Sequence, residues 1–232
     1  MLSNKHSNDD YDVVSDFVIV SSPDNLSSIR KFTARKYLLT YGAHLQSFMP
    51  QAVCYLDNQS RVRAAAGFQS ASDAVPLFLE QYFDRPIEEI LAEQLQIQIP
   101  DRSHIVELGN FAANTPGATR QFILRLGKYL LNNDFHWLVI TATKSIKASF
   151  EKMGVRDSMS IICDADMNRL TDKSTTWGTY YNHEPKVIAI DIQKGLKELM
   201  KNEVVRHLID GINDPVRDVI DATHILCEDY YE

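Results

Sequence analysis

Apolar and polar positions change period several times along this chain, and each change marks a predicted element. FVIV is a short, uniformly apolar run, so a buried strand is predicted over Asp16–Ser22. Pro23-Asp24-Asn25 supplies a turn and helix N-cap. Apolar residues then recur at helical spacing (Leu26, Ile29, Ala34, Leu38, Leu45), which predicts a helix from Asn25 to Leu45 that Met49-Pro50 stops. Gln51–Ser70 reads as a hairpin: AVCYL, the turn DNQS, then VRAAAGFQS. Pro76–Phe83 and Pro86–Leu95 are expected as two short helices, each with proline near its first turn.

The pattern then alternates. Ile105–Ala113 is a strand, TPGA a turn, Thr119–Asn132 a helix, and Phe135–Ala142 a second strand. Lys144–Met153 is a helix ending at Gly154, a candidate left-handed cap. Met159–Ala165 and Lys186–Ile192 complete the strands. Strand, helix, strand in the middle implies a parallel pair, and the hairpin adds antiparallel strands, so the class is α/β with a mixed sheet. Residues 1–13 read as a disordered tail and 14–192 as one domain. Residues 193–232 carry two amphipathic segments, KGLKELMKNEVVRHLIDGI and DPVRDVIDATHIL, read as a helical extension that packs on the domain or pairs two subunits as a homodimer.

Composition narrows the function classes. With 232 residues and 44% hydrophobic content, the chain can bury one sizeable core. Its net charge of −7 argues against nucleic acid as a partner, which needs a basic face. Cys54, Cys163 and Cys227 are widely spaced and odd in number, fitting reduced thiols. The acidic, polar N-terminus lacks the apolar stretch of a signal peptide, and no run approaches a membrane span. The expected compartment is therefore the cytoplasm. None of the seven histidines forms an HxxxH or similar ligand pair, so no metal site is expected.

The segment IVELGNFAANTPGATRQFILRLGKYL offers the clearest chemistry. A strand passes through a turn of small residues into a helix whose first N–H groups point outward unpaired. The helix dipole is positive there, and such a turn admits a pyrophosphate. Arg120 adds a cation in the first turn. The alternative is a plain strand-to-helix turn.

The element order matches the layout of GNAT N-acyltransferases, and Phe150-Glu151-Lys152-Met153-Gly154-Val155 resembles a GNAT signature after the fifth strand. More specifically, ARKYLLTYGAHLQSFMP, PLFLEQYFDRPIEE, IVELGNFAA, WLVITATKSIKASFEKMGV and WGTYYNHEPKVIAI resemble the thermostable hemolysins, over roughly residues 28–195. That family is itself similar to GNAT enzymes and to acyl-homoserine-lactone synthases. The resemblance implies a mostly antiparallel central sheet with flanking helices. It also implies a donor thioester, acyl-CoA or acyl carrier protein, as co-substrate with no permanently bound cofactor. The donor would lie along Phe111, Ala112, Ala113, Asn114, Gly117, Ala118, Thr119 and Arg120. Asn114-x-x-Gly117-x-Thr119 departs from the usual Q/R-x-x-G-x-G/A at both ends. Phe150 stands where many GNAT enzymes carry the tyrosine that protonates the leaving thiolate.

The expected activity is transfer of an acyl group to the amine of a small metabolite, with an amino acid as one candidate. Glu107, in an apolar strand, is the candidate base, against a structural role paired to an arginine. Tyr180 and Tyr181 are candidate acids or acceptor contacts, against an aromatic plug over the sheet. Arg35 is placed to clamp an acceptor carboxylate, and Glu80, Tyr82 and Asp84 to read an amine, against ordinary helix-surface charge. Two rival functions remain: a membrane-active protein, as the family name suggests, and an acyl-thioester-binding regulator without turnover.

Overall fold

A computed structural model describes residues 17–171, 173–210 and 217–218. The expected tail, residues 1–13, lies outside them. The strands and helices are β1 (Phe17–Val20), α1 (Pro23–Tyr41), β2 (Gln51–Leu56), β3 (Val62–Ser70), α2 (Ile87–Leu95), β4 (Ile105–Ala113) and α3 (Pro116–Asn132). They continue with β5 (Trp137–Ala142), α4 (Lys144–Lys152), β6 (Met159–Asp164), β7 (Lys186–Asp191), α5 (Ile192–Leu199), α6 (Glu203–Asp210) and β8 (Arg217–Asp218). One sheet runs β6-β7-β5-β4-β3-β2-β1-β8. Only β4–β5 and the two-residue β1–β8 contact are parallel; the other neighbours are antiparallel.

Helices cover both faces. On one, α3 to α6 bury Phe122, Leu126, Leu130, Phe150, Leu196 and Val205 against the sheet. On the other, α1 packs Leu26, Ile29 and Phe32 over β1–β3. The 3₁₀ turn Phe78–Tyr82 and α2 cover β4, β5 and β7 with Leu79, Ile87 and Leu91.

Several boundaries differ from the sequence reading. The first helix ends at Tyr41, because Gly42 takes φ 65° and its N–H reaches back to Leu38 O. The third helix starts three residues early, at Pro116: Thr115 Oγ1 accepts from Ala118 N at 3.2 Å and Pro116 fills the position that needs no N–H. The described part of the C-terminal stretch packs on the domain, where Leu196, Leu199, Val205 and Ile209 join the core. Within its second segment, Arg217–Asp218 is a short strand beside β1 rather than a helix, and the residues beyond 218 lie outside those described.

Candidate active site at the parting of two strands

The β4–β5 ladder covers only Ile105–Leu108 against Trp137–Ile140. Beyond it, β4 stays with β3 as far as Ala113, and β5 stays with β7 as far as Ala142. The two central strands therefore diverge at Gly109 and Thr141. A bulge sharpens the divergence: two residues, Asn110 and Phe111, face the single Ala66, and Asn110 takes φ 50°. A bulge re-aims the strand and frees its backbone from the ladder. Asparagine tolerates this left-handed conformation better than most residues.

Two cavities meet at this gap. The larger, about 800 Å³, lies on the face of α1 and the 78–82 turn, and Glu107, Gln69, Met49, Phe78 and Trp177 line it. The smaller opens on the α3–α4 face between Phe111, Phe122, Ile123, Ile146 and Phe150. Tyr37, Gly109, Asn110, Thr141 and Tyr180 line both.

Glu107 is 1% exposed and accepts the Leu79 N–H at 3.2 Å. Burial pushes its carboxyl up to about 8, against the opposing pull of the Leu79 and Phe78 amides, while the charge of Glu80 pushes the same way as burial. No arginine pairs with it among the described residues. Its environment is thus that of a buried carboxyl held by backbone amides rather than of a structural ion pair.

The PLFLEQY block holds this amide in place. Glu80 accepts from Leu77 N at 2.9 Å and from Ile87 N at 3.0 Å. Arg102 grips both Glu80 oxygens, at 2.8 and 3.2 Å, and donates to Ala71 O at 2.7 Å. Burial pushes the Glu80 carboxyl up, but Arg102 and the two amides together hold it below the usual range. Glu80 therefore builds the wall rather than facing the large cavity. Asp84 pairs with Arg169 at the surface. Tyr82 does line the cavity, its hydroxyl 2.7 Å from that of Tyr181.

The two tyrosines separate. Tyr180 is buried, stacks on Tyr37 and donates to Thr141 O at 3.3 Å, at the gap itself. Burial raises its hydroxyl well above the ordinary range, reinforced by the neighbouring tyrosines. Tyr181 lines neither cavity, and burial moves its hydroxyl up to about 12. Arg35 is exposed on α1 and also lines neither.

On the expected donor turn, Phe111 lines the small cavity and packs at a tilt against Phe122, while Ala112 is buried on the opposite face among α1 contacts. Ala113 packs on the core. Asn114 is tied to β3, through its N–H to Arg63 O and its side chain to Val62 O. Gly117, Ala118 and Thr119 form the first helical turn, and Arg120 is exposed beside them. Pro116 has no N–H and Thr115 occupies that of Ala118, so this helix end presents fewer donors to an anion than an uncapped one.

Sequence reasoning missed Tyr37, Asn110, Thr141 and Trp177. Tyr37 and Tyr41 stand four apart on α1, a spacing that was legible, but their approach to Tyr180 depends on the tertiary fold. Two histidines distant in sequence also come together. His104 and His136 stack with centroids 4.2 Å apart, and both contact Asp134. Ligand atoms of these three side chains lie within 4.8 Å of one another, a grouping that histidine spacing along the sequence does not display. They sit at the starts of β4 and β5, away from the gap.

A mixed sheet whose central parallel pair parts over a bulge defines a GNAT-like fold. The chain belongs to the thermostable hemolysin family, whose model matches residues 20–196. No curated protein matches it. Among solved structures, it is similar to the AHL synthase LasI (15% identity, TM-score 0.52, 78% of this chain and 90% of that one). It is also similar to FeeM, an N-acyl amino acid synthase from uncultured soil microbes (11%, TM-score 0.52, 82% and 97%). A third is BjaI, a CoA-dependent acyl-homoserine lactone synthase, in a structure with SAM and isopentyl-CoA (11%, TM-score 0.53, 91% and 95%). Among the described residues, no helix is long and apolar enough to cross a membrane.

Proposed function

We propose that the protein is an N-acyltransferase that moves an acyl group from a thioester, acyl-CoA or acyl carrier protein, to a small amine. The observation that carries this reading is the meeting of two cavities at the β4–β5 gap beside a buried, proton-poised Glu107. Neighbours of this fold named for acyl transfer from CoA or to amino acids support it.

The donor enters from the α3–α4 side, its thioester lying across the gap, where backbone N–H groups released from the ladder polarise the carbonyl. The amine occupies the large cavity. Glu107 as carboxylate takes a proton from the incoming ammonium, and the freed amine attacks the thioester carbon. The C–N bond forms, the C–S bond breaks, and the second amine proton is released. Tyr180, at the gap, gives a proton to the departing thiolate in place of the phenol that Phe150 lacks, and regains one as Glu107 gives up the proton it took from the ammonium. Binding both substrates at one gap supplies the proximity the reaction needs.

The test is thiol release with butyryl, octanoyl and palmitoyl thioesters of CoA and of acyl carrier protein, in the presence of mixed primary amines. Amine-dependent thiol release that Glu107→Gln abolishes supports the reading. Absence of release and of any thermal shift with every thioester ends it. Lysis of dye-loaded liposomes without acyl transfer would favour the membrane-active alternative instead.

A further inference from the structure

The large cavity carries information about the acceptor. Its walls are aromatic and aliphatic: Phe48, Met49, Val75, Phe78, Trp177 and Tyr180 among them. Among its described lining residues, the only formally charged side chains are Asp73 and Glu107, both acidic. Among the described residues, no lysine, arginine or histidine lines it. Of the cations around it, Arg102 holds Glu80, and Arg169 holds Asp84 and Gln81 O. Arg30 lies outside the lining, behind Phe48 with its guanidinium carbon 5.7 Å from that ring's centroid, and donates to Met49 O at 3.3 Å. Arg35, expected from the sequence to clamp a carboxylate, lines neither cavity.

An amino acid brings a carboxylate along with its amine. Burying that carboxylate here would strip its water and leave it without a counter-ion in the described lining, between buried Glu107 and Asp73 at the rim. An ammonium on an apolar stem meets the opposite situation: its stem covers aromatic surface and its charge faces the acids. Resting on the acyl-transfer reading above, we propose that the acceptor is a primary amine on an aromatic or aliphatic stem that carries no carboxylate, and that the acidic, cation-free wall of the large cavity excludes free amino acids.

The chemistry reinforces the selection. An ammonium beside Glu107 favours its ionised form, so the correct acceptor switches on its own base. A carboxylate in the same cavity would favour the protonated form and withhold the base. The stoichiometry is one thioester and one ammonium giving one amide, one thiol and one proton, with no further reactant.

The test uses the full-length protein, with whichever of the butyryl, octanoyl or palmitoyl thioesters gives the most thiol release, and matched acceptors. Phenethylamine, phenylalaninamide and phenylalanine share a stem and differ in the carboxyl group, and hexylamine with 6-aminohexanoate repeats the comparison on an aliphatic stem. Expected is kcat/KM for both carboxylate-free phenyl acceptors above that of phenylalanine by about 100-fold, the scale of an uncompensated like-charge contact. Asp73→Lys, which reverses the charge at the rim, narrows the phenethylamine-to-phenylalanine ratio by about tenfold. Phenylalanine used as well as phenethylamine overturns this inference and leaves acyl transfer standing. No thiol release with any acceptor, and no thermal shift with any thioester, overturns acyl transfer itself.

Discussion

The backbone N–H of Leu79 donates to the carboxylate of Glu107 across 28 residues of chain, at 3.2 Å, where both are fully buried. This contact joins the family's PLFLEQY block to its IVELGNF strand. It explains why a short 3₁₀ turn is braced so heavily: Arg102, Glu80 and the amides of Leu77 and Ile87 fix the turn that presents this one N–H. A carboxylate without a cation is held in place and kept in reach of a proton.

Replacing Glu107 with glutamine keeps the shape and an acceptor for Leu79 N–H but removes the base. Glu107→Gln is expected to lower kcat/KM by about 10²–10⁴-fold, the usual contribution of a positioned base, with little loss of fold. For the native protein, kcat/KM should rise with pH and level off above about 8, where Glu107 becomes carboxylate. Stopped assays from pH 5.5 to 9.5 check this, and a profile flat from pH 6 to 9 would remove Glu107 as the base.

The same group sets a stability trend. Glu107 binds its proton more tightly when folded, near 8, than in the unfolded chain, near 4.5. Its contribution is therefore fully present below 4.5, declines as pH rises, and is lost above about 8. The loss is at most about 4 to 5 kcal/mol. Melting curves at pH 5 and pH 9 should show a larger fall for the native protein than for Glu107→Gln, which cannot ionise. Equal falls would mean that burial does not shift Glu107.

Arg102 ties the supporting turn together, so Arg102→Ala leaves Glu80 largely buried and unpaired. A destabilisation of about 2–4 kcal/mol is expected, measured by denaturant unfolding. Glu80→Gln separates structure from catalysis. It removes a negative charge that raises Glu107, so the midpoint of the pH–rate profile should move down even though the protein is less stable. An unmoved midpoint would show that the two carboxylates do not sense each other.

Much of this arrangement was legible, and the boundary is physical. The hairpin Gln51–Ser70 and strand Ile105–Ala113 followed from hydrophobic runs bounded by turn residues. Glu107 stood out as a charge inside an apolar strand. Tyr180 and Tyr181 did not separate, because one step along a 3₁₀ turn sends one ring to the gap and the other to Tyr82, and only packing decides which. The placement of Glu80 and Arg35 was not legible for a similar reason: Arg102, 22 residues from Glu80, claims it, and nothing local to α1 says which way Arg35 faces. The cation-free wall is a property of residues drawn from five separate segments, which no single stretch of sequence displays.

The divided tyrosines give a direct comparison. Tyr180→Phe removes the hydroxyl at the gap and should lower kcat by about 10–100-fold with little change in acceptor KM, on the scale of general-acid assistance. Tyr181→Phe removes only the partner of Tyr82 and should change kcat less than about threefold. Equal effects would return Tyr180 to a packing role.

Gly178, in the WGTYY block, tests whether that block serves chemistry or architecture. It takes φ 53°, and a Cβ there would stand 2.1 Å from Tyr41 O and 2.7 Å from the carbonyl carbon of Gly42. Both are backbone atoms that cannot turn aside. Around it, Thr179 N donates to Tyr41 O at 2.7 Å, and His44 pairs with Thr176. The glycine thus lets the 176–180 loop press against the end of α1, which is what brings Tyr180 onto Tyr37. Gly178→Ala carries both the steric and the left-handed cost, about 3 kcal/mol or more. Gly117→Ala, on the exposed first turn of α3 with only Thr115 Oγ1 nearby at 3.8 Å, should be neutral or mildly stabilising. Unfolding of the two variants by urea compares them directly. If Gly178→Ala melts like the native protein, the loop does not depend on this close approach, and the position of Tyr180 must be set by the aromatic cluster alone.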